Sequence, residues 1–167
     1  NLAGRGDIKS HKLMIAADFY TPSSPSLIPT GEVRPVQGTP LDFTRPASVG
    51  ARFAKLGGKP QGYDHNFVLR GDATNSGQPA FCARVIEPRS GRVMEVFTTE
   101  PGVQLYTANW LDGSLVGKGG VVYVQHCGLC LETQHFPNSI NIPHFPDTVL
   151  KPGQTYHQLT IYRFSTT

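Results

Sequence analysis

The chain has 167 residues, of which 38% are hydrophobic, 16% charged, 18 glycine and 14 proline. That is one domain with a core of its own rather than two, and Gly and Pro at roughly a fifth of the sequence exclude a helical bundle or coiled coil. The net charge of +3 is spread thinly: Arg34 and Lys118 stand isolated among apolar or glycine neighbours, so no basic footprint for nucleic acid is read.

No run approaches the ~20 apolar residues of a membrane span. Three cysteines, Cys82, Cys127 and Cys130, are an odd number and few for a secreted disulfide scaffold, which points to a reducing, cytoplasmic compartment. The sequence opens on Asn1-Leu2-Ala3-Gly4, without Met, signal peptide or transit segment, and is expected to be processed or part of a longer polypeptide.

Residues 12–20 alternate, with Leu13, Ile15, Ala17 and Phe19 on one face, and read as one strand. The stretch 21–40 holds five prolines and two glycines and admits only short extended pieces such as 32–36. Residues 48–56 are the one plausible short helix, ended by Gly57-Gly58-Lys59-Pro60. A strand is expected over 62–70. Runs 81–87 and 92–99 around Pro88-Arg89-Ser90-Gly91 predict a β-hairpin. Further strands are expected over 102–110, 127–133 and 156–164, with a glycine-rich loop at 111–120 and a turn at Pro152-Gly153. About seven strands at this spacing mean an all-β, antiparallel sandwich or part of one.

Four polar residues interrupt apolar strands: Asp64, Gln104, Asn109 and Glu132. A carboxylate in an apolar strand is costly unless it is paired or functional, or simply faces solvent from the outer side of a sheet. Glu132 is the sharpest case, since Leu129, Leu131 and Phe136 are expected to desolvate it and favour its use as a base. Polar groups among Tyr63, Phe97, Tyr106, Trp110, Phe136 and Tyr156 suggest a sugar site, where planar rings stack on the sugar and carboxylates and amides hold hydroxyls. The Cys127-Gly128-Leu129-Cys130 spacing falls in a segment read as extended. Two thiols three apart in a strand face opposite ways, so buried structural cysteines are expected over redox or zinc chemistry. Arg5-Gly6-Asp7 and Arg70-Gly71-Asp72 read as ordinary Gly-Asp turns rather than adhesion motifs.

Taken in order, Leu27-Ile28-Pro29-Thr30-Gly31-Glu32, Gly62-Tyr63-Asp64-His65-Asn66-Phe67, Ser90-Gly91-Arg92-Val93, Thr99-Glu100-Pro101-Gly102-Val103-Gln104-Leu105-Tyr106-Thr107 with Asn109, and Leu129-Cys130-Leu131-Glu132-Thr133-Gln134 resemble the aldose 1-epimerase family. The resemblance runs nearly end to end and implies about half of a large antiparallel β-sandwich. Residues 1–167 would then be the C-terminal part of a single domain, partnered by its N-terminal half.

The resemblance further implies cofactor-free interconversion of the α and β anomers of galactose, glucose and related aldohexoses. Glu132 would be the catalytic base, Asp64 the sugar-binding carboxylate and Gln104 a further sugar contact. The family's general acid is a histidine in an H-x-Y-F motif that relatives run directly into Asn-Leu-Ala-Gly. It is therefore expected upstream of residue 1, and none of His11, His65, His126, His135, His144 or His157 matches it. An isolated half-sandwich is expected to expose sheet edges, to be inactive alone, and to associate with another copy or with its missing half. The alternative is a non-catalytic sugar-binding sandwich that keeps Asp64, Gln104 and the aromatics.

Overall fold

The computed structural model describes residues 1–71 and 77–167; the Asp72 of the second Arg-Gly-Asp lies outside the described residues. Among the described residues, alternating apolar residues and frequent turns produce ten strands: β1 Lys12–Ile15, β2 Ala17–Thr21, β3 Arg34–Pro35, β4 Ala47–Ser48, β5 Asp64–Leu69, β6 Ala80–Ile86, β7 Arg92–Thr98, β8 Gly102–Tyr106, β9 Cys130–Gln134 and β10 Thr160–Thr166. They form two five-stranded sheets, ordered β10-β7-β6-β1-β4 and β3-β2-β5-β8-β9, with antiparallel pairing throughout. The chain is an all-β sandwich, as its composition requires.

The core lies between the sheets. Leu13, Ile15, Cys82, Val85 and Val96 come from one side, and Phe67, Val103, Leu105 and Leu131 from the other. Phe43 and Phe53 close one end against Tyr63, with ring centroids 5.1 and 5.5 Å away in edge-on contact. Each such buried side chain contributes roughly 1.5–3 kcal/mol of apolar burial. Opposite, Tyr162 of β10 donates its hydroxyl to the Leu131 carbonyl of β9 at 2.9 Å, and the hydroxyls of Thr133 and Thr160 meet at 2.6 Å. These contacts join the two sheets along one side.

Five sequence expectations are corrected. The run 12–20 is two strands in different sheets. At Ala16 the backbone leaves one ladder for the other, with its N–H donating to the Cys82 carbonyl and its carbonyl accepting from the Arg70 N–H. The helix near 48–56 is 3-10, Val49–Lys55, and buries Val49 and Phe53. β8 stops at Tyr106 because Ala108 takes φ +51 and turns the chain. β9 starts at Cys130 rather than 127, since His126 takes φ +63 and Cys127 N–H bonds back to the Val124 carbonyl in a turn. β10 likewise begins four residues later than position 156. The 88–91 hairpin turn is where it was expected, between β6 and β7.

Candidate active site

The candidate residues converge on the outer face of the second sheet. Period-two alternation sends Phe67, Val103, Leu105 and Leu131 into the core, which leaves their neighbours on the opposite face. Register then lines them up: Thr21 opposes Asn66, Asn66 opposes Gln104, and Gln104 opposes Glu132. One row thus crosses four strands. A second row, two residues along, holds Asp64, Tyr106 and Cys130. With strands about 4.8 Å apart, Asn66 and Glu132 stand roughly 10 Å apart on the backbone.

The side chains in this patch are linked. Gln104 Nε2 donates to Asp64 Oδ1 at 2.8 Å. Gln134 Nε2 donates to Gln104 Oε1 and to Asn66 Oδ1, each at 3.3 Å. Asn66 Nδ2 donates to Thr21 Oγ1 at 3.1 Å. Gly102 is required between them, because a Cβ there would lie 2.8 Å from Asn66 Oδ1 and 2.9 Å from the Phe136 ring. Phe136 therefore overlies the β8 start on this face, and Tyr106 borders the other end. Tyr106 Oη also accepts the Trp110 backbone N–H at 3.3 Å, which sets exposed Trp110 beside the patch.

Asp64, Gln104 and Glu132 thus share one face. The environment expected around Glu132 is absent, however: it is exposed, with Leu131 buried on the opposite side of the strand. Asn109 does not join them. It is buried, its Nδ2 donating to the Tyr63 carbonyl and its Oδ1 accepting from the Thr107 hydroxyl, so it braces the Gly62 bend. Three of the six aromatic candidates serve elsewhere. Tyr63 is core, and burial raises its phenol to about 12. Phe97 lies in the other sheet against Phe81 and the Arg163 guanidinium. Tyr156 hydrogen-bonds Glu100. Asn66 and Gln134 were missed by the sequence reading, although each sits two residues from a named candidate and so shares its face.

The histidines divide by setting. His65 faces away from Asp64's side of the sheet, opposite Leu105, and burial lowers its pKa. His126 Nδ1 lies 2.8 Å from the Thr107 carbonyl, His135 Nδ1 lies 2.8 Å from Glu100, and His144 Nε2 lies 2.7 Å from the Gly31 carbonyl. The cysteines are free thiols. Burial pushes Cys82 up to about 12. Cys130 is also raised, first by desolvation and then by the neighbouring Glu132 carboxylate. Among the described residues no group of three or more His, Cys, Asp or Glu could hold a metal ion, and no helix is long and apolar enough to cross a membrane.

The family model described as aldose 1-epimerase matches residues 1–163. The chain belongs to the aldose 1-epimerase family. Over 167 residues it is 49% identical to galactose mutarotase from Sus scrofa and 49% identical to that from Homo sapiens, each alignment covering 99% of this chain and 47% of the relative. Aldose 1-epimerase from Escherichia coli is 36% identical over 169 residues, covering 98% of this chain and 48% of the relative. The aldose epimerase homologue of C. elegans superposes with a TM-score of 0.87 at 28% identity, over 99% of this chain and 49% of that one. The galactose 1-epimerase of Lactobacillus acidophilus shares the fold, with a TM-score of 0.70 at 22% identity, over 96% of this chain and 45% of that one. The chain spans about half the length of the relatives it matches.

Proposed function

We propose that this chain is the C-terminal part of a single sandwich domain that interconverts the α and β anomers of aldohexoses such as galactose and glucose. The observation that carries the reading is the shared register row. Gln104 and Glu132 oppose each other, and Asp64 is bonded to Gln104 on the same face, in a chain related to galactose mutarotases.

In this reading Glu132 takes the proton from the C1 hydroxyl while a general acid protonates the ring oxygen. The bond between C1 and the ring oxygen breaks, and an open-chain aldehyde forms. Rotation about C1–C2 and reclosure, with base and acid exchanging roles, gives the other anomer. Electrons are not gained or lost, so no redox cofactor enters. Asp64 and Gln104 hold ring hydroxyls, the carboxylate accepting and the amide donating. The exposure of Glu132 suits a group that meets substrate directly. The acid is assigned to an upstream segment, and the N-terminal half is this chain's structural partner. Free cysteines support a cytoplasmic setting.

The test is polarimetry on freshly dissolved α-D-galactose. This chain alone is expected to show no rate above the spontaneous one, with activity restored by the upstream segment and lost again in Glu132→Gln. A non-catalytic sugar-binding sandwich would instead show a change in affinity alone in that variant.

A further inference from the structure

Gln104 is an amide with two unlike ends, and only one orientation suits Asp64. With Nε2 toward the carboxylate it donates a hydrogen bond; turned over, its Oε1 would meet a carboxylate oxygen with no hydrogen between them. A free glutamine would sample both. Here the far end is occupied: Oε1 accepts from Gln134 Nε2 at 3.3 Å. That same nitrogen donates to Asn66 Oδ1, and Asn66 Nδ2 donates to the Thr21 hydroxyl. Thr21 and Asn66 are 1% and 3% exposed, so one end of the relay is fixed by burial and the other is half-buried Asp64. Every link runs donor to acceptor in one sense, from Gln134 outward in both directions.

We propose that Gln134 is a positioning residue that sets the amide orientation of Gln104, and that buried Asn66 and Thr21 anchor it in that role. This rests on the reading that Asp64 and Gln104 bind the sugar. The relay leaves one N–H of Gln104 and the second oxygen of Asp64 for substrate. A hydroxyl placed between them accepts from the amide and donates to the carboxylate, so each end of that hydroxyl meets its complement. A reversed Gln104 would offer two acceptors and only one way to bind.

Two substitutions separate this role from simple packing. Gln134→Glu puts acceptors where donors are needed, so Gln104 turns its Nε2 toward residue 134 and its Oε1 toward Asp64. Gln134→Met keeps the length and removes the polarity, and Gln104 can still donate to Asp64. KM and kcat for galactose are measured by polarimetry in the form that shows turnover, either this chain or the chain joined to an upstream segment. The side-chain NH2 resonances of Gln104 are recorded by NMR in this chain.

The expected result is a KM raised roughly tenfold or more in Gln134→Glu and about fivefold or less in Gln134→Met. In both, kcat stays within a few-fold, and the Gln104 NH2 resonances move most in the Glu variant. A packing role would give similar effects in both variants, tracking stability rather than KM. Unchanged KM and unchanged Gln104 resonances in Gln134→Glu overturn the proposal, provided Gln104→Ala raises KM. If Gln104→Ala and Asp64→Ala leave KM unchanged, the sugar-site reading fails instead, and the resonances still decide whether Gln134 orients Gln104. Should the Glu variant not fold, Gln104 NH2 resonances unchanged in Gln134→Met overturn the proposal, since the lost Gln134 hydrogen bond to Gln104 Oε1 must move them if Gln134 orients that amide.

Discussion

Gln104 on β8 donates to Asp64 on β5 at 2.8 Å across a sequence separation of 40. The two are diagonal neighbours, because Asp64 is paired with Tyr106 and Gln104 with Asn66. Diagonal positions are about 7–8 Å apart at the backbone, within reach of a long side chain only. Gln104→Asn is therefore expected to fall short of Asp64 and to weaken galactose binding as much as Gln104→Ala does. A hydrogen bond to a charged group is worth about 1.5–3 kcal/mol, so KM should rise at least tenfold. Full retention of KM in the Asn variant would show that the reach of residue 104 is irrelevant.

Glu132→Gln keeps size and exposure and removes the proton acceptor. Turnover in the active form should fall by roughly 10²–10⁴ while galactose KM changes within a few-fold. A large KM change with kcat intact would move Glu132 from the chemistry to binding.

Glu87 closes the β6–β7 turn. Its Oε2 accepts the Ser90 N–H at 2.6 Å and its Oε1 the Arg89 N–H at 3.1 Å. Hydrogen bonds from Ser90 first, and from Arg89 after it, hold its carboxyl at about 2 against an ordinary 4.5. The folded state thus favours the ionised form, so this contribution to stability is complete above pH 4.5 and fades as pH falls toward 2. Urea midpoints should show Glu87→Gln as destabilising at pH 7 and nearly silent near pH 2. A constant difference across that range would remove Glu87 from the acid response.

Gly62 has φ +139, and a Cβ there would lie 1.9 Å from Asn109 Oδ1 and 2.7 Å from Thr107 Oγ1. Those two side chains hold the Tyr63 backbone ahead of Asp64: Thr107 Oγ1 accepts the Tyr63 N–H and Asn109 Nδ2 donates to the Tyr63 carbonyl. Gly62→Ala combines backbone strain with a broken buried network and should cost about 3 kcal/mol or more, read as a lowered denaturation midpoint. A midpoint within experimental scatter of the parent would contradict this bracing role.

β10 is an edge strand with Ile161, Tyr162 and Phe164 exposed by 44%, 47% and 64%. An unpaired, apolar edge invites strand addition. Size-exclusion chromatography of the 167-residue chain should show dimers or larger species, and Ile161→Lys should shift them toward monomer. A sharp monomer peak from the parent would count against the edge.

Local pattern carried much of this fold and less of the site. Alternation placed β5, β6, β7 and β8, and the Pro88–Gly91 turn fixed their hairpin, because those signals lie within a few residues. The Ala16 crossover has no local turn signal: Leu13 to Phe19 contain neither Gly nor Pro, and only pairing with Cys82 and Arg70 splits the run. Glu132 on the exposed face follows from the parity of β9, but its setting depended on which face of Leu131 the other sheet covered. Asn66 and Gln134 carried no separate mark in sequence, since their meaning lies in contacts 45 and 30 residues away.

The row through Thr21, Asn66, Gln104 and Glu132 makes the patch a matter of counting. One residue inserted within β9 ahead of Glu132 would turn the carboxylate inward and present an aliphatic side chain on the outer face. The turns and bridge of 107–129 can absorb added length, since the count restarts where β9 meets β8. Length variation is therefore tolerated between these strands and forbidden inside them, and a peptide tag has its place in the 111–124 loop.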